Sequence, residues 1–186
     1  MTDIIQLHDK KFKKYISKEE IDQAVAQVAA QINEDYKNDA PIFLVVLNGA
    51  IIFAADLFKK LTIQCSLSCI KLSSYQGVEC THQMNSLIGL NEDLKGKRVI
   101  ILEDIIDTGN TYEYLYHLLQ GEGVKDIKIA TMTYKKDAYE KDLPIHYIGI
   151  TIPTKFVVGR GLDYDGLGRN LNDIYQVCEN GSFNRL

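Results

Sequence analysis

Apolar residues first recur at helical spacing after Ser17, where Ile21, Val25, Val28, Ile32 and Tyr36 share one face of a helix that runs to Asn38. Ser17-Lys18-Glu19-Glu20 supplies its start, because a serine hydroxyl and a glutamate three residues on satisfy two free N–H groups reciprocally. From Pro41 the pattern becomes a continuous apolar run, PIFLVVL, which has strand length and needs burial on both faces. Asn48-Gly49-Ala50 then turns that strand into a second, apolar helix in IIFAADLFKKL. Residues 62–72 read as a strand. Residues 73–85, SSYQGVECTHQMN, follow no period and are rich in small and polar side chains, which predicts a mobile loop.

The most clearly buried strand is KRVIILE, Lys97 to Glu103. It passes through DIIDTGN into a helical pattern, TYEYLYHLLQ, that Gly121 ends. VKDIKIATMTY gives a further strand, HYIGITI and FVVG two short β segments, and IYQVC a last one. Strands alternating with helices predict an α/β fold around a largely parallel sheet. There is no internal repeat and no Pro- or Ser-rich linker, with Pro only at 41, 144 and 153, so one domain over residues 1–186 is expected.

Composition narrows the picture further. With 46 % hydrophobic and 25 % charged residues, disorder, collagen-like repeats and coiled coil are disfavoured. Lys and Arg number 21 against 25 Asp and Glu, a net charge of −4, so no global basic field attracts nucleic acid or anionic lipid. No stretch approaches the roughly 20 apolar residues of a membrane span, and a cytoplasmic protein is expected. The four cysteines, Cys65, Cys69, Cys80 and Cys178, are too few for a disulfide scaffold. Cys65 and Cys69 have the spacing of a zinc pair, but no second pair accompanies them, and TIQCSLSCIKL alternates so that both would be core thiols on one face.

In open α/β sheets ligands bind beyond the carboxyl ends of the strands, which directs attention to Glu103-Asp104-Ile105-Ile106-Asp107-Thr108-Gly109-Asn110-Thr111. Three carboxylates stand within five residues at the edge of an apolar core, followed by Thr, Gly, Asn and Thr leading into a helix N-terminus. Such a terminus offers unpaired N–H groups and a positive dipole end, and a glycine lets a phosphate approach the backbone. Adjacent acids suit the two hydroxyls of a ribose, or a magnesium ion bridging protein and pyrophosphate oxygens. A sugar phosphate satisfies both halves. The blander alternative is that Glu103 and Asp104 mark a solvated strand end and Asp107 caps the next helix; it leaves DTGNT unexplained. Neither GxxxxGK[ST] nor GxGxxG is present.

VIILEDIIDTGNT, Val99 to Thr111, resembles the phosphoribosyl diphosphate motif of the type I phosphoribosyltransferases, in particular their hypoxanthine-guanine branch. LNGA at 47–50, the Ser74-Tyr75 pair and KFVVGRGLDY at 155–164 match the same branch in the same order, so the resemblance spans about residues 10–178. It implies the type I fold, with a small hood built from the terminal segments, the base-binding part of which falls at about 150–178. It implies that Glu103 and Asp104 hold the ribose hydroxyls, and that Asp107, Thr108, Gly109, Asn110 and Thr111 wrap the 5′-phosphate. Asp107 is also placed where the proton on purine N7 is handled. Lys135 matches the lysine that reads the oxygen at purine C6, Phe156 the aromatic that stacks on the base, Val157 a position whose backbone recognises the ring, and Ile105 a position beside the base. Asp163 corresponds to a magnesium ligand near the base, with Glu103 and Asp104 as further metal-side carboxylates, and Arg169 to an arginine facing pyrophosphate. Leu47-Asn48-Gly49 corresponds to the pyrophosphate loop, often with a cis peptide, and Ser74-Tyr75 to a lid in the loop at about 73–85. Mg2+ is the implied cofactor, phosphoribosyl diphosphate and a purine base the substrates, and a homodimer or homotetramer the implied assembly. Neither nucleic acid nor membrane is an expected partner.

The chain also departs from the branch. Asn48 and Asn110 stand where cations are common, Ser73 where a basic residue often precedes the Ser-Tyr pair, and Arg160 where a Tyr is usual beside the base pocket. Fewer cations would leave more neutralisation to Mg2+ and Arg169, and a cation at Arg160 would favour a base with more oxygen. The reaction implied is purine salvage: displacement of pyrophosphate from C1 of phosphoribosyl diphosphate by hypoxanthine or guanine, giving IMP or GMP. The alternatives are a xanthine-preferring sibling enzyme, a non-catalytic nucleotide- or RNA-binding regulatory homologue, whose sign would be a basic face, and a phospho-acceptor signalling domain, which leaves DTGNT without a role.

Overall fold

The computed structural model describes residues 4–74, 84–88 and 93–178. Strands β1 (Ile4–Leu7) and β2 (Lys10–Ile16) form an antiparallel hairpin that leads into helix α1 (Lys18–Asp35). The capping box forms at its start: Ser17 N–H donates to Glu20 Oε2 at 2.8 Å and Ser17 Oγ accepts from Glu20 N–H at 3.3 Å. Then follow β3 (Ile42–Leu47), α2 (Ile51–Phe58), β4 (Ser66–Ser74), β5 (Met84–Ile88), β6 (Arg98–Ile106), α3 (Asn110–Gly121) and β7 (Asp126–Tyr134). A 3₁₀ turn (Lys136–Ala138) precedes β8 (Tyr147–Thr151), β9 (Val157–Val158) and β10 (Ile174–Val177).

The main sheet has the order β5-β4-β3-β6-β7-β8, with β4, β3, β6, β7 and β8 parallel and β5 antiparallel at the edge. Its two faces carry separate apolar layers. Val25, Ile32, Phe53 and Leu57 of α1 and α2 pack on Phe43, Ile100 and Leu102, while Leu115 and Leu119 of α3 pack on Leu44, Val99 and Ile101. Both parities of β3 and β6 are therefore buried, which is why PIFLVVL and RVIIL are apolar throughout; each such side chain contributes roughly 1.5–3 kcal/mol. The second sheet, β1-β2-β10-β9, joins the two ends of the chain around Phe12, Val158 and Tyr175 and forms the expected hood.

Four details differ from the sequence pattern. The N-terminal hairpin was not legible, because only Phe12 and Ile16 of β2 are buried among its lysines. Strand β4 begins at Ser66 rather than at 62. Strand β5 occupies the end of the unpatterned stretch, pairing with β4, and Tyr75 and Cys80 lie outside the described residues, as does most of the loop expected to be mobile. Strand β6 continues three residues past Glu103, so Asp104, Ile105 and Ile106 belong to the sheet and not to the turn. No helix among the described residues is long and apolar enough to cross a membrane.

Candidate active site

At the carboxyl end of β6 the chain makes a tight turn through Asp107, Thr108 and Gly109 and enters α3 at Asn110. Gly109 has φ 88, a left-handed conformation that favours glycine, and brings no side chain to cap the first-turn N–H groups of the helix. A Cβ there would also strike the Tyr139 ring and the Lys141 stem. Tyr139 donates to Leu143 O at 2.7 Å, and Lys141 pairs with Glu113 at 2.8 Å, so the segment after β7 is a wall behind the turn that the sequence did not disclose. Glu103, Ile105, Ile106 and residues 107–112 line a cavity of about 200 Å³. A helix N-terminus, an end that suits anions, and the carboxylates of Glu103 and Asp107 thus line one cleft.

The two adjacent acids do not stand side by side. Glu103 lines the cavity, whereas Asp104 turns to the other face of β6 and lies against Gly49, where a Cβ would overlap its carboxylate. Strand alternation explains this once β6 is known to include both residues. Glu103 is 6 % exposed; burial, and then the Asp104 charge, push its carboxyl well above the usual range. Burial also raises Asp104, to about 6, against the opposing effect of the Ile105 N–H that donates to Oδ1 at 2.9 Å.

Asp107 meets Lys135 across the strand ends. Ile106 and Tyr134 are register partners, so the next residue on each strand emerges at the same edge, and Lys135 Nζ lies 2.6 Å from Asp107 Oδ2. Lys135 is 8 % exposed, so it is no solvated turn lysine, while the Asp107 side chain is half exposed to the cleft.

The strand end beside β6 supplies the third wall. The Leu47–Asn48 peptide is cis, and the backbone of Gly161 from the hood is pressed onto the Gly49 carbonyl so closely that a Cβ on Gly161 would overlap it. Arg169 donates to Gly161 O at 2.6 Å and pairs with Asp163 at 2.7 Å, and the other Asp163 oxygen accepts from Gly166 N–H at 2.7 Å. Arg169 and Asp163 are thus brought together, and Asp163 reaches a metal only by loosening these contacts. Phe156 is 45 % exposed and stands in a ring cluster with Phe12 and Tyr164, whereas Val157 is buried and offers only its backbone. Ser74 ends β4, and Tyr75 lies outside the described residues. Arg160 does not carry a free charge: its guanidinium lies 2.6 Å from Asp22 and 3.2 Å from Asp56, which removes the premise that it steers the choice of base. Cys65 and Cys69 pack against the apolar core, and burial raises the Cys65 thiol. Among the described residues no three His, Cys, Asp or Glu side chains gather where they could hold a metal ion by themselves.

Residues 14–165 match the phosphoribosyl transferase domain family. A hypoxanthine-guanine phosphoribosyltransferase of Staphylococcus epidermidis is 38 % identical over 157 residues, covering 84 % of this chain and 88 % of the relative. One from Staphylococcus aureus is 34 % identical with the same coverage. The crystal structure of a hypoxanthine-guanine phosphoribosyltransferase from Bacillus anthracis superposes with a TM-score of 0.84 at 33 % identity, covering 89 % of this chain and 98 % of that one.

Proposed function

Since this chain belongs to the phosphoribosyl transferase family, we propose that it acts in purine salvage, moving the 5-phosphoribosyl group of phosphoribosyl diphosphate onto hypoxanthine or guanine with release of pyrophosphate. The observation that carries the reading is the Asp107–Lys135 pair at 2.6 Å beside the N-terminus of α3. A 6-oxopurine presents N7 and its C6 oxygen on one edge, and a carboxylate next to an ammonium complements that edge. Adenine has an amino group where the oxygen stands, and the ammonium repels it.

The residue roles proposed are those that the family resemblance implies. Residues 108–111 receive the 5′-phosphate on backbone N–H groups and hydroxyls. Asp107 takes or returns the N7 proton, a general acid–base role worth roughly 10²- to 10⁴-fold. Lys135 donates to the C6 oxygen, Phe156 stacks on the ring, Ile105 lies beside it, and Val157 orients it through its backbone. The resemblance assigns Glu103 and Asp104 to the ribose hydroxyls, Glu103 from the cavity side of β6 and Asp104 from the Gly49 side, and it assigns Asn48, Gly49, Arg169, Ser74 and Tyr75 to the pyrophosphate.

Mg2+ fits this donor set. Two carboxyls raised by burial, Glu103 further by the Asp104 charge and Asp104 further by the Asp163 charge, gain from a dication, and a site without a closed protein cage suits an ion that arrives with substrate phosphates. Because Glu103 and Asp104 open on opposite faces of β6, they would hold Mg2+ separately and not as one pair, and Asp163 would join as a ligand once released from Arg169 and Gly166. When bound, it neutralises charge developing on the leaving pyrophosphate. The same reading places the enzyme in the cytoplasm as a homodimer or homotetramer. The test is pyrophosphate release from phosphoribosyl diphosphate with hypoxanthine, guanine, xanthine and adenine, with and without Mg2+. Release with the first two is expected; a preference for adenine, or no release with any base, overturns the reading.

A further inference from the structure

Arg160 occupies a position whose backbone favours glycine. Its φ is 53, between Gly159 at 108 and Gly161 at 103, so three consecutive residues take the left-handed region and the middle one keeps a long side chain. That side chain is 8 % exposed and spans two elements of the core domain, pairing with Asp22 of α1 at 2.6 Å and Asp56 of α2 at 3.2 Å. The backbone on either side is tied into the hood: Arg160 N–H donates to Leu171 O and Gly161 N–H to Arg169 O, both at 3.0 Å. Gly161 in turn lies on the Gly49 carbonyl and accepts from Arg169, while Gly49 lies on Asp104. An unbroken series of contacts therefore leads from the two helices through Arg160 to the strand end assigned above to pyrophosphate.

We propose that Arg160 is a positioning residue: clamped by Asp22 and Asp56, its guanidinium holds Gly161 against Gly49 and so sets the 47–49 loop and Arg169 for the pyrophosphate of phosphoribosyl diphosphate. The inference rests on the proposed pyrophosphate side of the site. A guanidinium can engage two carboxylates from different helices at once, which explains why this residue and not glycine stands in the turn. Its effect is directional. The clamp bears on the pyrophosphate side, whereas the Asp107–Lys135 pair is fixed by the β6–β7 register and does not depend on it.

The test uses Arg160→Gly, which relieves the backbone and removes the clamp, and Arg160→Lys, which keeps a charge. Steady-state pyrophosphate release is measured against phosphoribosyl diphosphate and against hypoxanthine, alongside thermal melting. Arg160→Gly is expected to raise KM for phosphoribosyl diphosphate roughly tenfold or more while KM for hypoxanthine stays within about twofold, and Arg160→Lys, whose single ammonium lacks the fork that meets both carboxylates, to recover only part of the loss. Equal changes in both constants, or a lowered melting temperature with unchanged kinetics, overturn the proposal. Should Arg160→Gly fail to fold, Asp56→Asn, which leaves the Asp22 contact, is expected to shift the same KM in the same direction by roughly threefold, and no shift there overturns it. Wild-type turnover with unchanged Arg160→Gly kinetics defeats this inference alone; absence of wild-type turnover defeats the functional reading and this inference with it.

Discussion

Replacing Gly49 with alanine adds one methyl group at the point where two walls of the site meet. The Gly49 backbone is outside the left-handed region, so alanine is not strained there, and the obstacle is the Asp104 carboxylate, which must withdraw by about 1 Å to reach even a 3.0 Å separation. Asp104 is half-buried and its Oδ1 holds the Ile105 N–H at 2.9 Å, so its withdrawal also weakens that hydrogen bond, at roughly 0.5–1.5 kcal/mol. A misplacement near 1 Å in a positioning group lowers rates by roughly 10²-fold, which is about 2.7 kcal/mol of transition-state stabilisation. Gly49→Ala is therefore expected to lower kcat/KM for phosphoribosyl diphosphate by roughly 10²-fold, measured by pyrophosphate release, with a melting temperature only a few degrees lower, about 2–4 °C per kcal/mol at this chain length. Gly121→Ala is the control. No atom lies within 4 Å of its Cβ position at the end of α3, so it should leave kinetics unchanged and stabilise by about 0.5–1 kcal/mol. The route through Asp104 is checked by a double-mutant cycle: in an Asp104→Ala background, Gly49→Ala should cost less than about threefold more. Full additivity of the two substitutions, or kcat/KM retained in Gly49→Ala alone, refutes the reasoning.

Asp107→Asn is expected to lower kcat by roughly 10²- to 10⁴-fold with little change in KM for phosphoribosyl diphosphate, and unchanged turnover rejects the acid–base role. Lys135→Met removes the ammonium assigned above to the C6 oxygen, so KM for hypoxanthine and guanine should rise roughly tenfold or more and the disadvantage of adenine should shrink; an unchanged ratio of bases rejects that assignment. Away from the site, the Tyr147 hydroxyl at 2.6 Å and then the Lys128 ammonium at 3.0 Å hold the Asp35 carboxyl below its ordinary 3.8. A depressed carboxylate contributes stability above its unfolded value, and that contribution is lost as pH falls below 3.8 through the folded one. Tyr147→Phe should thus be less stable than the wild type in urea at pH 7 and approach it in acid; a constant difference across that range contradicts the linkage.

Much of the architecture could be read directly from the chain because burial on both faces leaves unmistakable runs. PIFLVVL and RVIIL are apolar at both parities, the Ser17–Glu20 box marks the start of α1, and DTGNT marks a turn into a helix. Where burial is one-sided and sparse the signal fades, as in β2, whose inward residues are only Phe12 and Ile16 among lysines. The acids at 103 and 104 could be named, but not their directions, since these depend on how far β6 extends.

The sequence by itself determined the class of the fold and singled out the strand end at Glu103 to Thr111, because local periodicity and side-chain chemistry are properties of neighbours along the chain, while the more distant candidates came from the family resemblance. Tertiary structure decided which distant groups meet. Parallel register puts Lys135 on Asp107, strand alternation separates Glu103 from Asp104, and the hood lays Gly161 on Gly49 while Arg160 is absorbed by Asp22 and Asp56. Those contacts join residues 28 to 138 positions apart, and sheet pairing and helix packing, which no local pattern records, set them.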